Sequence, residues 1–170
     1  MNLRIAGTVN DSIVDGSGFR FTIFTQGCPH HCPGCHNPQT HDFNGGTVVS
    51  HEELLQKIKA NPLLDGVTFS GGEPFVQAEA LAELARAIHA LGGLDIVTYT
   101  GYTLEQLLDG MEQNPAWRAL LEETDILIDG PFLEAQKSYE VRFRGSRNQR
   151  YLDAKESLRQ GRAVDARVPE

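Results

Sequence analysis

Cys28, Cys32 and Cys35 are the residues of this chain best suited to chemistry, and no other cysteine occurs among its 170 residues. Their CxxxCxxC spacing lets one loop wrap three corners of a compact centre. An odd, tightly clustered count argues for a metal site and against a disulfide framework. Two metal chemistries fit. A cubane 4Fe–4S centre normally takes four thiolates, so three leave one iron with an open position, which is what a catalytic centre needs. The alternative is a structural zinc ion whose fourth ligand is His30, His31, His36 or His41. Pro29 and Pro33 fix φ and Gly34 permits close backbone approach, so the intervening residues suit a tight cage in either case.

A second chemical group lies at Ser70-Gly71-Gly72-Glu73-Pro74. The two glycines remove side chains where a strand ends, letting a ligand lie against the backbone, and Glu73 sets beside it a carboxylate that suits an ammonium group. Pro74 fits the first turn of a helix, where its missing N–H costs least. A plain strand-to-helix turn with a surface Glu has the same letters, so the motif gains meaning only in company with the cysteines. Thr98, Tyr99, Thr100 and Tyr102 are further candidates to line a pocket, although such residues at a strand end are commonly just packed. No convincing acid–base pair accompanies these groups, so general acid–base chemistry is not expected.

Short β-rich runs alternate with helical segments, which predicts an α/β fold with a largely parallel sheet. Phe19–Thr25 reads as a strand running into the cysteine loop. Ser50 with Glu53 has the capping-box form and opens a helix carrying Leu54, Leu55 and Ile58. Strands follow at Gly66–Phe69, Ile96–Tyr99 and Asp125–Ile128, with a weaker β signal at Val141–Phe143. Leu81, Leu84, Ala85, Ile88 and Leu91 recur at helical spacing, and Thr103 with Gln106 caps another helix. The cysteine loop, the Gly-Gly-Glu-Pro turn, Thr100-Gly101-Tyr102 and Asp129-Gly130-Pro131-Phe132 therefore all follow strands, at the edge where parallel sheets build their sites.

Length and patterning predict one domain over residues 1–150 and a tail of uncertain order over 151–170. A net charge of −8 disfavours nucleic acid as a partner. The charge is uneven: residues 137–170 hold nine Lys and Arg against five acids, which suits docking to a partner protein or a solvated tail equally. No apolar run approaches the roughly 18 residues of a membrane span, and no secretory signal is evident, so the expected compartment is the cytoplasm.

The three cysteines taken with Gly71-Gly72-Glu73-Pro74 resemble the radical S-adenosylmethionine superfamily. That resemblance implies a partial, open βα barrel. It also implies a 4Fe–4S cluster on Cys28, Cys32 and Cys35 whose free iron chelates the amino and carboxylate groups of S-adenosylmethionine. Gly71, Gly72 and Glu73 would then lie beside the methionine moiety, with Thr100 also at the cofactor. Many members place an aromatic residue near the adenine just before the third cysteine. Here Gly34 stands at that position and His36 is placed to take over the contact.

Within the superfamily, the short length, Asp15-Gly16-Ser17-Gly18-Phe19-Arg20, Cys35-His36-Asn37-Pro38, Asp129–Phe132 and Phe143–Arg150 resemble activating proteins of the anaerobic (class III) ribonucleoside-triphosphate reductase. The resemblance spans most of residues 10–150. It implies an electron from flavodoxin or a ferredoxin-type donor, reductive cleavage of S-adenosylmethionine, and a glycyl radical made on the reductase. Neighbouring expectations are an activator of the pyruvate formate-lyase type or a small radical enzyme acting on a metabolite. The alternative of a different class is a zinc-stabilised binding module, which metal content would separate.

Overall fold

The computed structural model describes residues 1–169. Seven strands, β1 (Asn2–Ser12), β2 (Arg20–Thr25), β3 (Thr47–Ser50), β4 (Gly66–Gly71), β5 (Asp95–Tyr99), β6 (Ile126–Asp129) and β7 (Arg150–Asp153), form one sheet. Their order is β3-β1-β2-β4-β5-β6-β7. The four central strands β2, β4, β5 and β6 are parallel, while β1 pairs antiparallel with β2 and β3, and β7 antiparallel with β6. The sheet is open, since β3 and β7 do not pair. It is the open, α/β arrangement expected, with antiparallel strands added at both edges.

The helices are α1 (His51–Lys59), α2 (Ala78–Leu91), α3 (Leu104–Gly110), α4 (Pro115–Glu123) and α5 (Ala154–Gln160). Ser50 caps α1 by accepting from the Glu53 N–H at 3.2 Å. Thr103 and Gln106 form the full reciprocal box at α3. Pro74 opens a short 3₁₀ turn, Pro74–Gln77, so α2 starts at Ala78, four residues beyond the proline.

Alternation along the strands sorts the two faces of the sheet. Phe21, Ile23, Val67, Phe69, Ile96, Leu127 and Leu152 point to one face and pack with Leu81, Leu84, Ile88, Leu120 and Leu121 of α2 and α4 in the main core. Val97, Ile128 and Tyr151 point to the other face and form a small second cluster with Tyr99 and Phe143. That second face also carries buried polar residues. Arg20 is fully buried there, its Nε donating to Thr68 Oγ1 at 2.7 Å and its guanidinium pairing with Asp95 at 2.6 Å. Thr68 in turn donates to the Asp15 carbonyl at 2.8 Å, so the loop before β2 lies down on this face.

Three sequence expectations change. Val141–Phe143 is not a strand: it lies in an irregular segment, and Phe143 has φ 66°, outside the extended region. The sequence reading places no element over residues 2–12, yet β1 is the longest strand. Residues 151–169 are not a loose tail, since β7 crosses the boundary near 150, α5 follows, and the Ala166 N–H donates to the Tyr151 carbonyl at 3.0 Å. No helix among the described residues is long and apolar enough to cross a membrane.

Candidate iron–sulfur and cofactor site

The C-terminal ends of β2, β4, β5 and β6 open together onto one cavity of about 490 Å³. Cys28, Cys32 and Cys35 all line it, with His36, Gly71, Gly72 and Thr100. The topology thus brings together most of what the sequence singled out, from positions more than seventy residues apart.

The cysteine loop is set by its backbone. Gly27 N–H donates to the Thr40 carbonyl at 2.7 Å, and Cys28 N–H to the His41 carbonyl at 3.2 Å. The Gly-Gly-Glu-Pro turn closes against it, with Gly72 N–H on the Thr25 carbonyl and Glu73 N–H on the Gly27 carbonyl, each at 2.8 Å. Gly71 has φ +95°, and a Cβ on Gly72 would overlap the Gly27 carbonyl oxygen. The glycines therefore serve the close approach of two backbones as well as the cavity wall.

Burial pushes the Cys28 thiol above its ordinary range, with the Glu73 and Cys32 charges adding to it against the backbone N–H groups of His30 and His31. Ligation of a metal must therefore displace a proton from this residue.

Three residues near the cysteine loop and the strand ends make internal contacts. Gly34 does not border the cavity: with φ +71° it packs against Glu134, where a Cβ would sit 2.9 Å from the carboxyl carbon. Glu73 does not border it either. Its carboxylate is fully buried, caps the Pro74 turn through the Phe75 N–H at 3.0 Å, and accepts from His30, Thr100 and Gly101. Arg150 is spent internally, bonded to Asp129 at 3.0 and 2.5 Å and to Glu105 at 2.6 Å, which lowers Glu105 below the usual carboxylate range.

Several wall residues escaped the sequence reading. Val14 and Asp15 come from the loop before β2, while Ser138, Tyr139, Val141, Gly145 and Gln149 come from the segment after β6. Tyr99 ties that segment down by donating its hydroxyl to the Phe143 carbonyl at 2.5 Å. Gln149 holds it from within, accepting from the Gly145 N–H at 2.7 Å. Asp15 was legible as part of a motif but not as a wall residue. The one period in the segment 137–149, the weak β signal at Val141–Phe143, does not form a strand and announces no wall.

The donor set fits an iron–sulfur cluster. Three soft sulfur donors face one volume large enough for a cluster with a ligand beside it, and no fourth cysteine exists to close the last corner. Among the described residues no three His, Cys, Asp or Glu side chains gather at the position of a single ion. A four-iron cluster does not ask for that, because each thiolate binds a different iron. Of the histidines weighed as a zinc ligand, His30 is committed to Glu73 and His36 lies on Phe132 at 5.0 Å between ring centroids.

A family model described as a 4Fe-4S single cluster domain matches residues 14–152. The anaerobic ribonucleoside-triphosphate reductase-activating protein of Haemophilus influenzae is 32% identical over 144 residues, covering 81% of this chain and 89% of that protein. The protein of that name from Salmonella typhimurium is 36% identical over 146 residues, covering 81% and 90%. The pyruvate formate-lyase-activating enzyme of Clostridium pasteurianum is 38% identical over 104 residues, covering 58% of this chain and 44% of its own length.

Proposed function

The chain belongs to the family of anaerobic ribonucleoside-triphosphate reductase-activating proteins, and from that premise we propose that it is a radical S-adenosylmethionine enzyme that makes the glycyl radical of such a reductase. The observation that carries this reading is the shared cavity: three thiols from one loop face the ends of the parallel strands, with the open side left to a ligand. When bound, the cluster supplies the electron that splits S-adenosylmethionine into methionine and a 5′-deoxyadenosyl radical.

The chain's own residues bind, orient and exclude. Cys28, Cys32 and Cys35 hold the cluster in this reading, and Gly71 and Gly72 present bare backbone to the methionine end of the cofactor. Thr100 and His36 border the same space, with Phe132 backing the His36 ring, so the adenine would lie on that side. Glu73 acts on the site from behind, through the loops it holds, and not by direct contact with an ammonium. A glycine on a partner's loop needs an approach path, and the cavity mouth is open beside Val14 and Tyr139, which are 70% and 88% exposed. The partner is the anaerobic reductase, and the electron donor is a flavodoxin or ferredoxin-type protein.

The test is chemical. Full-length protein, reconstituted anaerobically and reduced in the presence of S-adenosylmethionine, is expected to release 5′-deoxyadenosine, and Cys28→Ala, Cys32→Ala and Cys35→Ala are each expected to abolish it. Full retention in any one variant removes that cysteine from the site.

A further inference from the structure

Between Cys28 and Cys32 the chain places Pro29, His30 and His31. Among the described residues, one hydrogen bond ties residues 29–34 to the body of the protein: His30 Nε2 to Glu73 Oε1, at 2.5 Å. Other donors to Glu73 come from two further segments. Oε1 also receives the Gly101 N–H at 2.7 Å, and Oε2 receives the Phe75 N–H at 3.0 Å, while the Thr100 hydroxyl reaches both oxygens at 3.0 and 2.9 Å. A single buried carboxylate therefore joins the cysteine loop to the turns after β4 and β5.

The imidazole is fitted as well as bonded. A Cβ on Gly101 would lie 2.5 Å from His30 Cδ2, so a bare residue at 101 makes the room the ring occupies. Tyr102 meets the ring edge-on at 4.6 Å between centroids. Tyr102 packs in turn on Trp117 of α4 at 5.0 Å, and Trp117 Nε1 donates to the Phe75 carbonyl at 3.1 Å, two residues from Glu73 itself. The circuit is closed, and every member of it except His30 lies outside the cysteine loop.

We propose that His30 is a positioning residue for the iron–sulfur centre: through Glu73 it pins the arm between Cys28 and Cys32 before any iron is bound. This rests on the reading that the three cysteines hold a cluster. Without the tie, the arm regains backbone freedom that ligation must then remove, on the order of one residue's worth, which corresponds to about a tenfold weaker hold on the cluster.

The experiment compares wild type, His30→Ala and His30→Gln, each full-length and reconstituted anaerobically with iron and sulfide. Three readouts are taken: bleaching of the cluster absorbance by a ferrous chelator, the electron paramagnetic resonance line shape of the reduced cluster, and far-ultraviolet circular dichroism of the metal-free chain. His30→Ala is expected to bleach about tenfold faster, with a broadened signal and an unchanged dichroism spectrum. His30→Gln, whose amide can still donate to Glu73, is expected to restore most of the difference. Equal bleaching of wild type and His30→Ala overturns the proposal, and so does a His30→Gln variant as labile as the alanine. A wild-type chain that takes up no iron–sulfide chromophore instead overturns the reading beneath it, and the proposal with it.

Discussion

Tyr99 shows how one residue can connect the site to its wall. Its hydroxyl donates to the Phe143 carbonyl, and burial, with the Asp15 charge adding to it, pushes the phenol well above its ordinary value of 10.0. The folded chain thus holds the proton more tightly than the unfolded one. The contribution is complete below the unfolded value near 10 and is lost as the pH climbs towards the higher folded one. Tyr99→Phe is expected to cost about 1 kcal/mol at neutral pH, read by urea unfolding, and to flatten the loss of stability above pH ~10. Identical alkaline slopes in the two proteins would contradict this. Residue types alone made the cysteines legible, because three clustered thiols have few other uses. Glu73 was legible as a carboxylate but not as a buried hub. Its partners, His30, Thr100 and Gly101, are far from it along the chain and meet it only through the strand order.

At the scale of elements, the parallel strands and their turns were plain in the sequence. Each central strand is a short β-branched or aromatic run that ends in glycine or a polar turn, and the Thr103–Gln106 box announces α3 directly. The edges were not legible. β1, which lies between β3 and β2 outside the parallel core, reads Asn-Leu-Arg-Ile-Ala-Gly-Thr-Val-Asn-Asp-Ser, too polar to stand out, and its register with β2 shifts twice. The segment 137–149 is held by Tyr99, Gln149 and a lone bridge between Lys137 and Ser146, none of which leaves a period in the sequence. β7 and α5 leave only a thin apolar pattern, because only Tyr151, Leu152, Ala154 and Ser157 are buried there. Those few residues matter. Tyr151 and Leu152 belong to opposite faces of the sheet, and burying such side chains contributes roughly 1.5–3 kcal/mol each. Deleting residues 151–170 is therefore expected to abolish cooperative thermal unfolding, followed by circular dichroism. A truncated chain that melts with the wild-type midpoint would show the segment to be dispensable.

For the molecule as a whole, the open sheet sets the function. The strand ends meet the loop before β2 on one side and the 137–149 segment on the other, and the cavity keeps a mouth. The uneven charge of residues 137–170 is partly neutralised within the chain. Arg147, Arg150, Lys155 and Arg159 pair with Glu140, Asp129, Asp125 and Glu156. Arg142 and Arg144 have no carboxylate partner among the described residues, and Arg144 borders the cavity. The central claim is that this cavity generates a radical and delivers it to a protein glycine. Its most direct test mixes the anaerobically reconstituted, reduced chain with S-adenosylmethionine and an anaerobic ribonucleoside-triphosphate reductase, then records the electron paramagnetic resonance spectrum. The account predicts a glycyl doublet that requires all three components. A reductase that stays radical-free while the same mixture carries an intact cluster and consumes S-adenosylmethionine would contradict it.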